Sequence, residues 1–339
     1  GVIGLRNHGN TCFMNAVLQC LSHTDILAEY FVLDQYKVDL SRRNKLNSKK
    51  YGTKGEITEQ LALLLKAIWS CQYDPEMSTA FKSVVDKYGS QYRGNLQHDA
   101  QEFLLWLLDK VHEDLNQATK KKPDDIVAAE TLANHVRCNN SFVHAVFQAQ
   151  FRSSLTCPRC HRQSNTFDPF LCVSVPVPQN HRQSVYYEEC FDLYTRAEIL
   201  GAEDAWHCPY CNKKQEVVKK LGLWSLPDIL VIHLKRFRQQ SKQRSTSKLT
   251  MLVDFPLYGF DMTPHLAHNG VQTHNNYDEN VYDLYAICNH HGQDLQGGHY
   301  TAFCRNPYDT QWYCFDDTRV EAVNDTNLIT NAAYMLFYQ

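Results

Sequence analysis

The sequence of 339 residues predicts an α+β protein in which a helical lobe lies beside a sheet lobe. Apolar residues recur at helical spacing through the first third of the chain, and the pattern then changes to period two with β-rich runs. Two CxxC pairs in the strand-rich part of the chain predict a metal site that joins two hairpins. Because two lobes often build a site where they meet, we expect an active site at their interface.

Composition and charge narrow the class of protein. The apolar fraction is 43% and the charged fraction 21%, which is typical of a globular chain. The 34 basic and 37 acidic residues give a net charge of -3, so nucleic acid is not an expected partner. No run of about 18 uninterrupted apolar residues occurs, so we expect a soluble protein without a membrane partner. The length fits one large domain or two packed ones.

The cysteine content indicates the compartment. Thirteen cysteines in a chain of this length, an odd number, favour metal ligands, buried thiols and a reactive thiol over a disulfide scaffold. We therefore expect a reducing, intracellular compartment, the cytoplasm or the nucleus.

The first third of the chain is predicted to be mainly helical. Apolar spacing predicts a helix from Thr11 to about Leu33, capped by Asn10 or Thr11, so Cys12 lies at a helix N-terminus. Residues 37–54 are polar, basic and interrupted by glycine, which predicts a loop without function. Helical periodicity continues at 57–70, 78–89 and 97–118.

The polar stretch "KKKPDDI" at 120–126 separates this region from a part rich in strands. No repeat of 20 to 50 residues is present, which disfavours a solenoid. Runs with β character predict strands at 141–157, 170–178, 215–224, 229–237, 281–292, 298–305 and 311–317.

Two short cysteine pairs predict a metal site. Cys157 and Cys160 stand in "TCPRCH", and Cys208 and Cys211 stand in "HCPYCN". Two such knuckles supply four thiolates for one tetrahedral ion, for which zinc is the expected metal. All four ligand positions are then filled, so the predicted zinc is structural, one per chain. The alternatives are four buried or disulfide-bonded cysteines, or a redox CxxC pair.

Cys12 has different surroundings, which favour a nucleophile. A turn at Gly9 leads into a helix start, where backbone N–H groups and the helix dipole stabilise a thiolate. Cysteine catalysis also needs a base, and His299 in "LQGGHYTAFCR" is the candidate, with Asp316 and Asp317 able to orient its imidazole. The residues alone leave open a buried Cys12 and a core His299.

Seven segments occur in order along essentially the whole chain: "GLRNHGNTCFMNAVLQCL", "QHDAQEFLLWLLD", "LVIHLKRF", "YDLYAICNHHG", "GGHYTAFCR", "WYCFDD" and "AYMLFYQ". Together they resemble the characteristic segments of the ubiquitin-specific proteases, the papain-like deubiquitinases. This resemblance implies one catalytic domain, 1–339, shaped like a right hand. The expected lobes are a helical thumb at 1–135, mainly fingers pinned by zinc at 136–228, and mainly palm at 229–339.

The resemblance also implies catalytic roles. Cys12 would be the nucleophile, His299 its base, and Asp316 the residue that orients His299, with Asp317 as a supporting second carboxylate. Asn7 resembles the family's oxyanion-hole donor, acting together with the Cys12 backbone N–H. An amide N–H directed at a developing oxyanion contributes about 2.7–4 kcal/mol.

Four further residues are expected to bind the substrate tail. Asp99 and Glu102 are three apart, which places them on one helix face, and the resemblance implies that they contact arginines of the ubiquitin tail. The alternative is two solvated acids favoured by the helix dipole. Gly297 and Gly298 are expected to keep the path to Cys12 open.

The implied function is a deubiquitinase, a thiol protease that hydrolyses the isopeptide or peptide bond at the C-terminal glycine of ubiquitin. Its partners would be ubiquitin and ubiquitinated proteins, and we expect a monomer. Two alternatives remain open: a zinc-stabilised ubiquitin-binding module with a silent site, and a peptidase for another ubiquitin-like modifier.

Overall fold

The structure is a computed structural model that describes residues 1–118, 138–179, 183–239, 246–267, 280–295 and 297–339. The "KKKPDDI" stretch at 120–126, expected to separate helical from strand-rich sequence, lies outside these residues. In the described ranges the helices are α1 (Cys12–Ser22), α2 (Asp25–Val32), α3 (Gln35–Arg42), α4 (Lys45–Lys50), α5 (Glu56–Trp69), α6 (Pro75–Tyr88), α7 (Ala100–Leu115), α8 (Phe142–Phe147) and α9 (Tyr187–Thr195).

The strands begin after α8, so helices fill the first part of the chain and strands most of the rest. The described strands are β1 (Ala149–Thr156), β2 (Gln163–Phe170), β3 (Val173–Pro176), β4 (Ser184–Tyr186), β5 (Glu198–Leu200), β6 (Trp206–Cys208), β7 (Lys213–Gln215), β8 (Val217–Leu223), β9 (Leu230–Lys235), β10 (Phe237–Gln239), β11 (Thr246–Lys248), β12 (Leu252–Asp254), β13 (Phe260–Asp261), β14 (Val281–Tyr282), β15 (Leu284–His291), β16 (His299–Arg305), β17 (Trp312–Asp316), β18 (Arg319–Val323) and β19 (Ala333–Tyr338).

A seven-stranded sheet, in the order β18-β17-β16-β15-β19-β9-β3, forms the centre of the molecule. Its pairs are antiparallel except β3 with β9. Both faces are covered: Val231 of β9 joins the core on the helical side, while its neighbour Ile232 joins the core on the other face. Burial on both faces explains why β19 is apolar throughout and why its neighbours β9 and β15 are mostly apolar.

Helix α1 lies between this sheet and the other helices. All eleven of its residues are buried, and it packs on β16, β15 and β17 on one side and on α7 on another. A helix that is apolar nearly all round is a core helix, and its sequence accordingly lacks a charged face. The first residue of α1 thereby lies next to the beginning of β16.

A second sheet of four antiparallel strands, β2-β1-β8-β5, extends beside the central one. The turn between β1 and β2 carries Cys157 and Cys160, while Cys208 ends β6 and Cys211 lies in the turn between β6 and β7. Strand β3 falls in the range 136–228, yet it pairs with β9 in the seven-stranded sheet.

The helical region differs from the sequence prediction in three places. The single helix expected from Thr11 to Leu33 is two helices, because the Thr24 hydroxyl bonds to the Cys20 carbonyl and to Tyr285 and its backbone is extended. The expected loop at 37–54 is wrong, since it contains most of α3 and all of α4.

A buried acid explains the helical structure of that polar segment. Asp114 of α7 accepts hydrogen bonds from Ser48, Thr53 and Thr58, all of them buried.

A third difference concerns 141–157, where residues 142–147 form α8 with Ser141 as its cap, and strand structure begins only at β1. Among the described residues, no helix has both the length and the apolar composition that a bilayer crossing requires.

Candidate active site

Cys12 is the first residue of α1, and its side chain is only 3% exposed. The chain enters the helix through a tight loop in which Gly9 and Asn10 have positive φ angles of 94° and 54°. The Asn7 side-chain oxygen holds this loop by accepting from the backbone N–H groups of Gly9, at 2.9 Å, and Thr11, at 3.2 Å. The sulfur therefore lies at a helix N-terminus, where a thiolate is stabilised.

His299 and Asp316 come from neighbouring strands of the central sheet. His299 begins β16 and Asp316 ends β17, and the pairing of Ala302 with Phe315 brings the two side chains into diagonal contact. The His299 Nε2 atom lies 2.6 Å from Asp316 Oδ1, which leaves Nδ1 available to the Cys12 sulfur.

The pKa of His299 is raised to about 9. Its interaction with Cys12 is the largest cause, the hydrogen bond to Asp316 adds to it, and partial burial opposes both. An imidazole that is readily protonated next to a thiol favours the thiolate–imidazolium pair. The three residues can therefore perform nucleophilic catalysis.

Asp317, expected to support His299, makes its described hydrogen bonds elsewhere. It follows β17 with φ of 49°, and its Oδ2 accepts from Asn7 Nδ2 at 3.0 Å while Oδ1 accepts from Asn15 Nδ2 at 2.8 Å. The Asp317 backbone carbonyl also accepts from Leu5 N–H at 2.8 Å. Asp317 thus fixes the loop before Cys12 and the orientation of the Asn7 amide. Asn15 was not singled out from the sequence.

Gln97 also belongs to this site and was missed by sequence reasoning. Its Nε2 lies 3.2 Å from the Cys12 sulfur and 3.2 Å from the Gly298 carbonyl oxygen. The sulfur receives a further backbone contact from Tyr300 N at 3.5 Å. Gln97 is the first residue of the segment "QHDAQEF", which also contains Asp99 and Glu102, and this position is the sequence signal that could have identified it.

The two acids of that segment have different environments. Asp99 is the N-cap of α7: Oδ1 accepts from Gln101 N–H at 2.7 Å, and Oδ2 accepts from the Tyr334 hydroxyl at 2.8 Å. Burial raises the pKa of Asp99, although these hydrogen bonds oppose the rise. Glu102 lies in the first turn of α7 and is exposed. Its pKa is raised by partial burial and by the neighbouring Asp99 charge.

Gly297 and Gly298 immediately precede His299. The Gly297 N–H donates to Asp294 at 2.5 Å. A Cβ atom on Gly298 would overlap the buried His290 ring and would lie 2.6 Å from the His291 carbonyl oxygen. Glycine is therefore required at position 298 for packing against His290, in addition to the open path to Cys12 that the sequence suggested.

The four cysteines of the CxxC pairs converge into one cluster. All four sulfurs lie within 4.8 Å of one another, with Cys157 to Cys211 at 3.9 Å and Cys160 to Cys208 at 3.8 Å. In each pair the second cysteine's backbone N–H donates to the first sulfur at 3.4 Å. Such a cluster could hold a metal ion.

The two turns that carry these sulfurs have the same backbone geometry. The residue after each pair, His161 and Asn212, has a positive φ, of 57° and 51°. Each also donates its N–H to the carbonyl of the first cysteine of its pair, at 2.9 and 2.8 Å. Two matching knuckles thus face each other, from the β1–β2 turn and the β6–β7 turn.

Comparisons with known families cover the whole chain. The family model described as ubiquitin carboxyl-terminal hydrolase matches residues 3–338. Bovine (Bos taurus) ubiquitin carboxyl-terminal hydrolase 2 is 35% identical over all of this chain and 55% of its own length. Human (Homo sapiens) ubiquitin carboxyl-terminal hydrolase 43 is 29% identical over all of this chain and 54% of its own length. The chain thus spans about half the length of these relatives.

Comparison with solved structures identifies similar chains in a DUB module. The chain is similar to a structure described as the SAGA Ubp8/Sgf11/Sus1/Sgf73 DUB module bound to ubiquitin aldehyde, with a TM-score of 0.75 and 26% identity. The match covers 99% of this chain and 69% of the other chain. A second structure of that module, bound to monoubiquitin, matches with a TM-score of 0.74 and 25% identity over 99% of this chain and 68% of the other.

Proposed function

Because the chain belongs to the ubiquitin carboxyl-terminal hydrolase family, we propose that it is a cysteine-type deubiquitinating peptidase. It hydrolyses the isopeptide or peptide bond that follows the C-terminal glycine of ubiquitin. The observation that carries this proposal is the 2.6 Å contact between His299 Nε2 and Asp316 Oδ1, together with the interaction with Cys12 that raises the His299 pKa. A silent ubiquitin-binding module has no need of such an arrangement.

The reaction has two steps on these residues. The Cys12 thiolate attacks the carbonyl carbon of the terminal glycine, and protonated His299 gives its proton to the departing amine, which leaves a thioester on Cys12. Neutral His299 then takes a proton from water, whose oxygen attacks the thioester and releases ubiquitin with a free carboxylate. Asp316 orients the ring and stabilises its protonated form through the 2.6 Å hydrogen bond.

The developing oxyanion is stabilised by Asn7 together with the Cys12 backbone N–H. One N–H of the Asn7 amide donates to Asp317, and a carboxamide nitrogen carries two, so the second can donate to the substrate oxygen. Asp317 acts through Asn7, because it fixes the amide in one orientation. A donor fixed in advance needs no reorganisation at the moment of reaction.

The extended tail of ubiquitin reaches the thiol between the start of α7 and the glycines before His299. Glu102 is an exposed acid beside this path and binds a tail arginine. Asp99 contributes negative charge from a more buried position. Gly297 and Gly298 let the tail backbone pass close to the protein. The partners of the chain are accordingly ubiquitin and ubiquitinated proteins.

The four-cysteine cluster holds one structural zinc ion. Zinc–sulfur bonds of about 2.3 Å in a tetrahedron require sulfur–sulfur distances of about 3.8 Å, and the two measured pairs are at 3.8 and 3.9 Å. The backbone N–H donors to Cys157 and Cys208 are suited to thiolates. Cys157, Cys160, Cys208 and Cys211 would fill the coordination shell, so the ion supplies rigidity and no chemistry.

All thirteen cysteines lie in the described residues, and none forms a disulfide bond. This supports a reducing compartment, and we place the protein in the cytoplasm or the nucleus. Localisation of the tagged full-length protein in cells tests this.

A ubiquitin derivative with a C-terminal propargylamide tests the proposed function. Incubation with the purified protein should give one adduct, increased in mass by one ubiquitin, which peptide mapping locates on Cys12. The Cys12→Ala variant is the control and should give none. Ubiquitin aminomethylcoumarin should be hydrolysed by the unmutated protein only. A chain that forms no adduct and releases no coumarin would refute the proposal.

A second probe set identifies the modifier. The same propargylamide group on other ubiquitin-like proteins competes with the ubiquitin probe at equal concentration. Preferential labelling by ubiquitin supports the proposal, whereas preferential labelling by another modifier would reassign the substrate and keep the chemistry.

A further inference from the structure

Gln97 connects the two halves of the candidate active site. Its side chain is half-buried and comes from the segment that precedes α7, while the sulfur belongs to α1 and the Gly298 carbonyl to the segment that precedes β16. The amide nitrogen is 3.2 Å from each of these two atoms, and the amide oxygen is 3.4 Å from the sulfur. Both ends of the amide therefore face the sulfur of Cys12.

A carboxamide suits this position for a chemical reason. Its nitrogen carries two N–H donors and its oxygen is an acceptor, so one donor can bond to Gly298 while the other remains for the sulfur. When Cys12 is a thiol, the S–H can donate to the Gln97 oxygen. When Cys12 is a thiolate, an N–H of Gln97 can donate to the sulfur. Hydrogen bonds to a charged group are stronger than those to a neutral one.

We propose that Gln97 is a positioning residue that holds the Cys12 sulfur against His299 and stabilises its thiolate by an amide N–H bond. The bond from Gln97 to the Gly298 carbonyl fixes the amide, because it uses the second N–H and prevents rotation about the last side-chain torsion. The role deepens the proposed function, on which it rests for the identity of Cys12 as the nucleophile.

Other titratable groups belong to several of the segments around the sulfur. His8 belongs to the loop before α1, whereas Asp99 lies at the start of α7. On the sheet side stand His299, Asp316 and Asp317. The first turn of α1 carries no acid. His299 supplies positive charge, and the acids oppose a thiolate. A neutral donor at position 97 adds stabilisation without altering this balance of charge.

The test measures alkylation of Cys12 by iodoacetamide, which requires no ubiquitin. The rate is followed by mass spectrometry of the Cys12 peptide between pH 5 and pH 10. Two variants match the glutamine in length: Gln97→Glu keeps the acceptor but replaces the donors by negative charge, and Gln97→Met removes all hydrogen bonding. Asn95→Asp is the matched control, since it adds the same charge two residues earlier in the exposed part of the segment.

We expect Gln97→Glu to lower the alkylation rate at pH 7 by about tenfold or more and to move the midpoint of the rate–pH profile upward by about one unit. Gln97→Met should fall between this variant and the unmutated protein, and Asn95→Asp should leave the midpoint within about 0.3 unit. Equal midpoints for all four proteins would overturn the proposal, even if turnover of ubiquitin fell in the Gln97 variants. A larger effect from Gln97→Met than from Gln97→Glu would also overturn it, because packing would then outweigh hydrogen bonding.

The result is separable from the proposed function. If the unmutated protein fails to hydrolyse ubiquitin aminomethylcoumarin but Cys12 alkylation still depends on Gln97 as described, the positioning role holds and the deubiquitinase proposal fails. If hydrolysis proceeds but the alkylation rate of Cys12 does not depend on Gln97, the deubiquitinase proposal holds and the positioning role fails. Far-ultraviolet circular dichroism and melting temperature establish that each variant is folded.

Discussion

Asp317 accepts a hydrogen bond from Asn7 across 3.0 Å, and this bond joins the turn after β17 to the loop before the Cys12 helix. The adjacent Asp316 instead faces His299 at 2.6 Å. Two consecutive carboxylates therefore serve two sides of one site, because the backbone turns sharply at Asp317, whose φ is 49°. One acid orients the base, and the other orients the amide proposed to bind the oxyanion.

This division predicts different kinetic effects for the two acids. Asp316→Ala should lower kcat and change the pH dependence of turnover, because His299 loses the partner that favours its protonated form. Asp317→Ala should lower kcat by about tenfold or more with an unchanged pH profile, because Asn7 loses its fixed orientation. Steady-state kinetics of ubiquitin aminomethylcoumarin hydrolysis from pH 5.5 to 9.5 make the comparison. A pH profile altered by Asp317→Ala and not by Asp316→Ala would reverse the two assignments.

Cys12→Ala should abolish turnover and leave ubiquitin binding nearly intact, because the thiolate supplies covalent chemistry and little contact area. His299→Ala should be nearly as damaging, with a loss of about 10²–10⁴-fold in kcat. Binding of ubiquitin by calorimetry and coumarin release distinguish chemistry from affinity. Appreciable turnover by the Cys12 variant would exclude this residue as the nucleophile.

The pKa of His299 predicts a pH dependence of stability. Folding raises this pKa from 6.5 to about 9, so the folded chain binds more protons than the unfolded one between these values. The stabilisation from protonated His299 is therefore full below about pH 6.5 and is lost as the pH rises through about 9. Melting temperatures of the unmutated protein and of His299→Ala, measured from pH 6 to pH 9.5, isolate the effect.

The difference between these two proteins should shrink across that range, since only the unmutated chain carries the group that titrates. A constant difference in melting temperature would mean that the His299 pKa is not raised in the folded chain.

The cysteine cluster predicts one zinc per chain. Cys157→Ser or Cys211→Ser should reduce the zinc content and lower the melting temperature or the soluble yield before it affects the chemistry, because a zinc ion held there would join the two turns. Inductively coupled plasma mass spectrometry of the purified protein gives the metal count. The exposed Cys71→Ser is the matched control and should retain the full zinc content. A stable chain without metal would contradict a structural role.

Asp99 and Glu102 are predicted to act mainly on substrate binding. Asp99→Ala and Glu102→Ala should raise KM for ubiquitin substrates more than they lower kcat, and a charge-assisted contact contributes about 1.5–3 kcal/mol if it is well buried. Asp99→Ala should also lower the melting temperature, because Asp99 caps α7 and accepts from Tyr334. The exposed Glu102 should affect binding alone.

The deciding experiment measures the kinetics of each variant with native ubiquitin and with ubiquitin whose tail arginines are neutralised. Each alanine substitution is expected to raise KM less with the neutralised tail than with the native one. Equal penalties on both substrates would show that the two acids do not contact the arginines.

Much of the architecture could be predicted because it depends on local patterns. The helical periodicity at 57–70 and 78–89 corresponds to α5 and α6, and the β-rich run at 229–237 contains β9. The α+β class and the family were also predicted, and both are confirmed by the match across residues 3–338. Each signal lies within a few consecutive turns or strand residues, so it can be read without knowledge of the rest of the fold.

Errors arose where a distant partner decided the local structure. The polar segment 37–54 is helical because Asp114, some sixty residues later, accepts from its buried Ser48 and Thr53 hydroxyls. The break between α1 and α2 depends on Tyr285, which bonds to the Thr24 hydroxyl. Tertiary hydrogen bonds thus outweighed local propensity in both places.

Local sequence patterns establish which residue types are available for chemistry: a cysteine at a helix start, a histidine after two glycines, two adjacent acids and two CxxC knuckles. Which of their atoms meet depends on how distant segments pack in the folded chain. The register of β16 with β17 brings Asp316 to His299, and the sharp turn at Asp317 directs that acid to Asn7. Gln97 lies 85 residues from Cys12, and no local pattern records a contact between them. Such contacts follow from packing between distant segments, which a linear pattern of polarity does not encode.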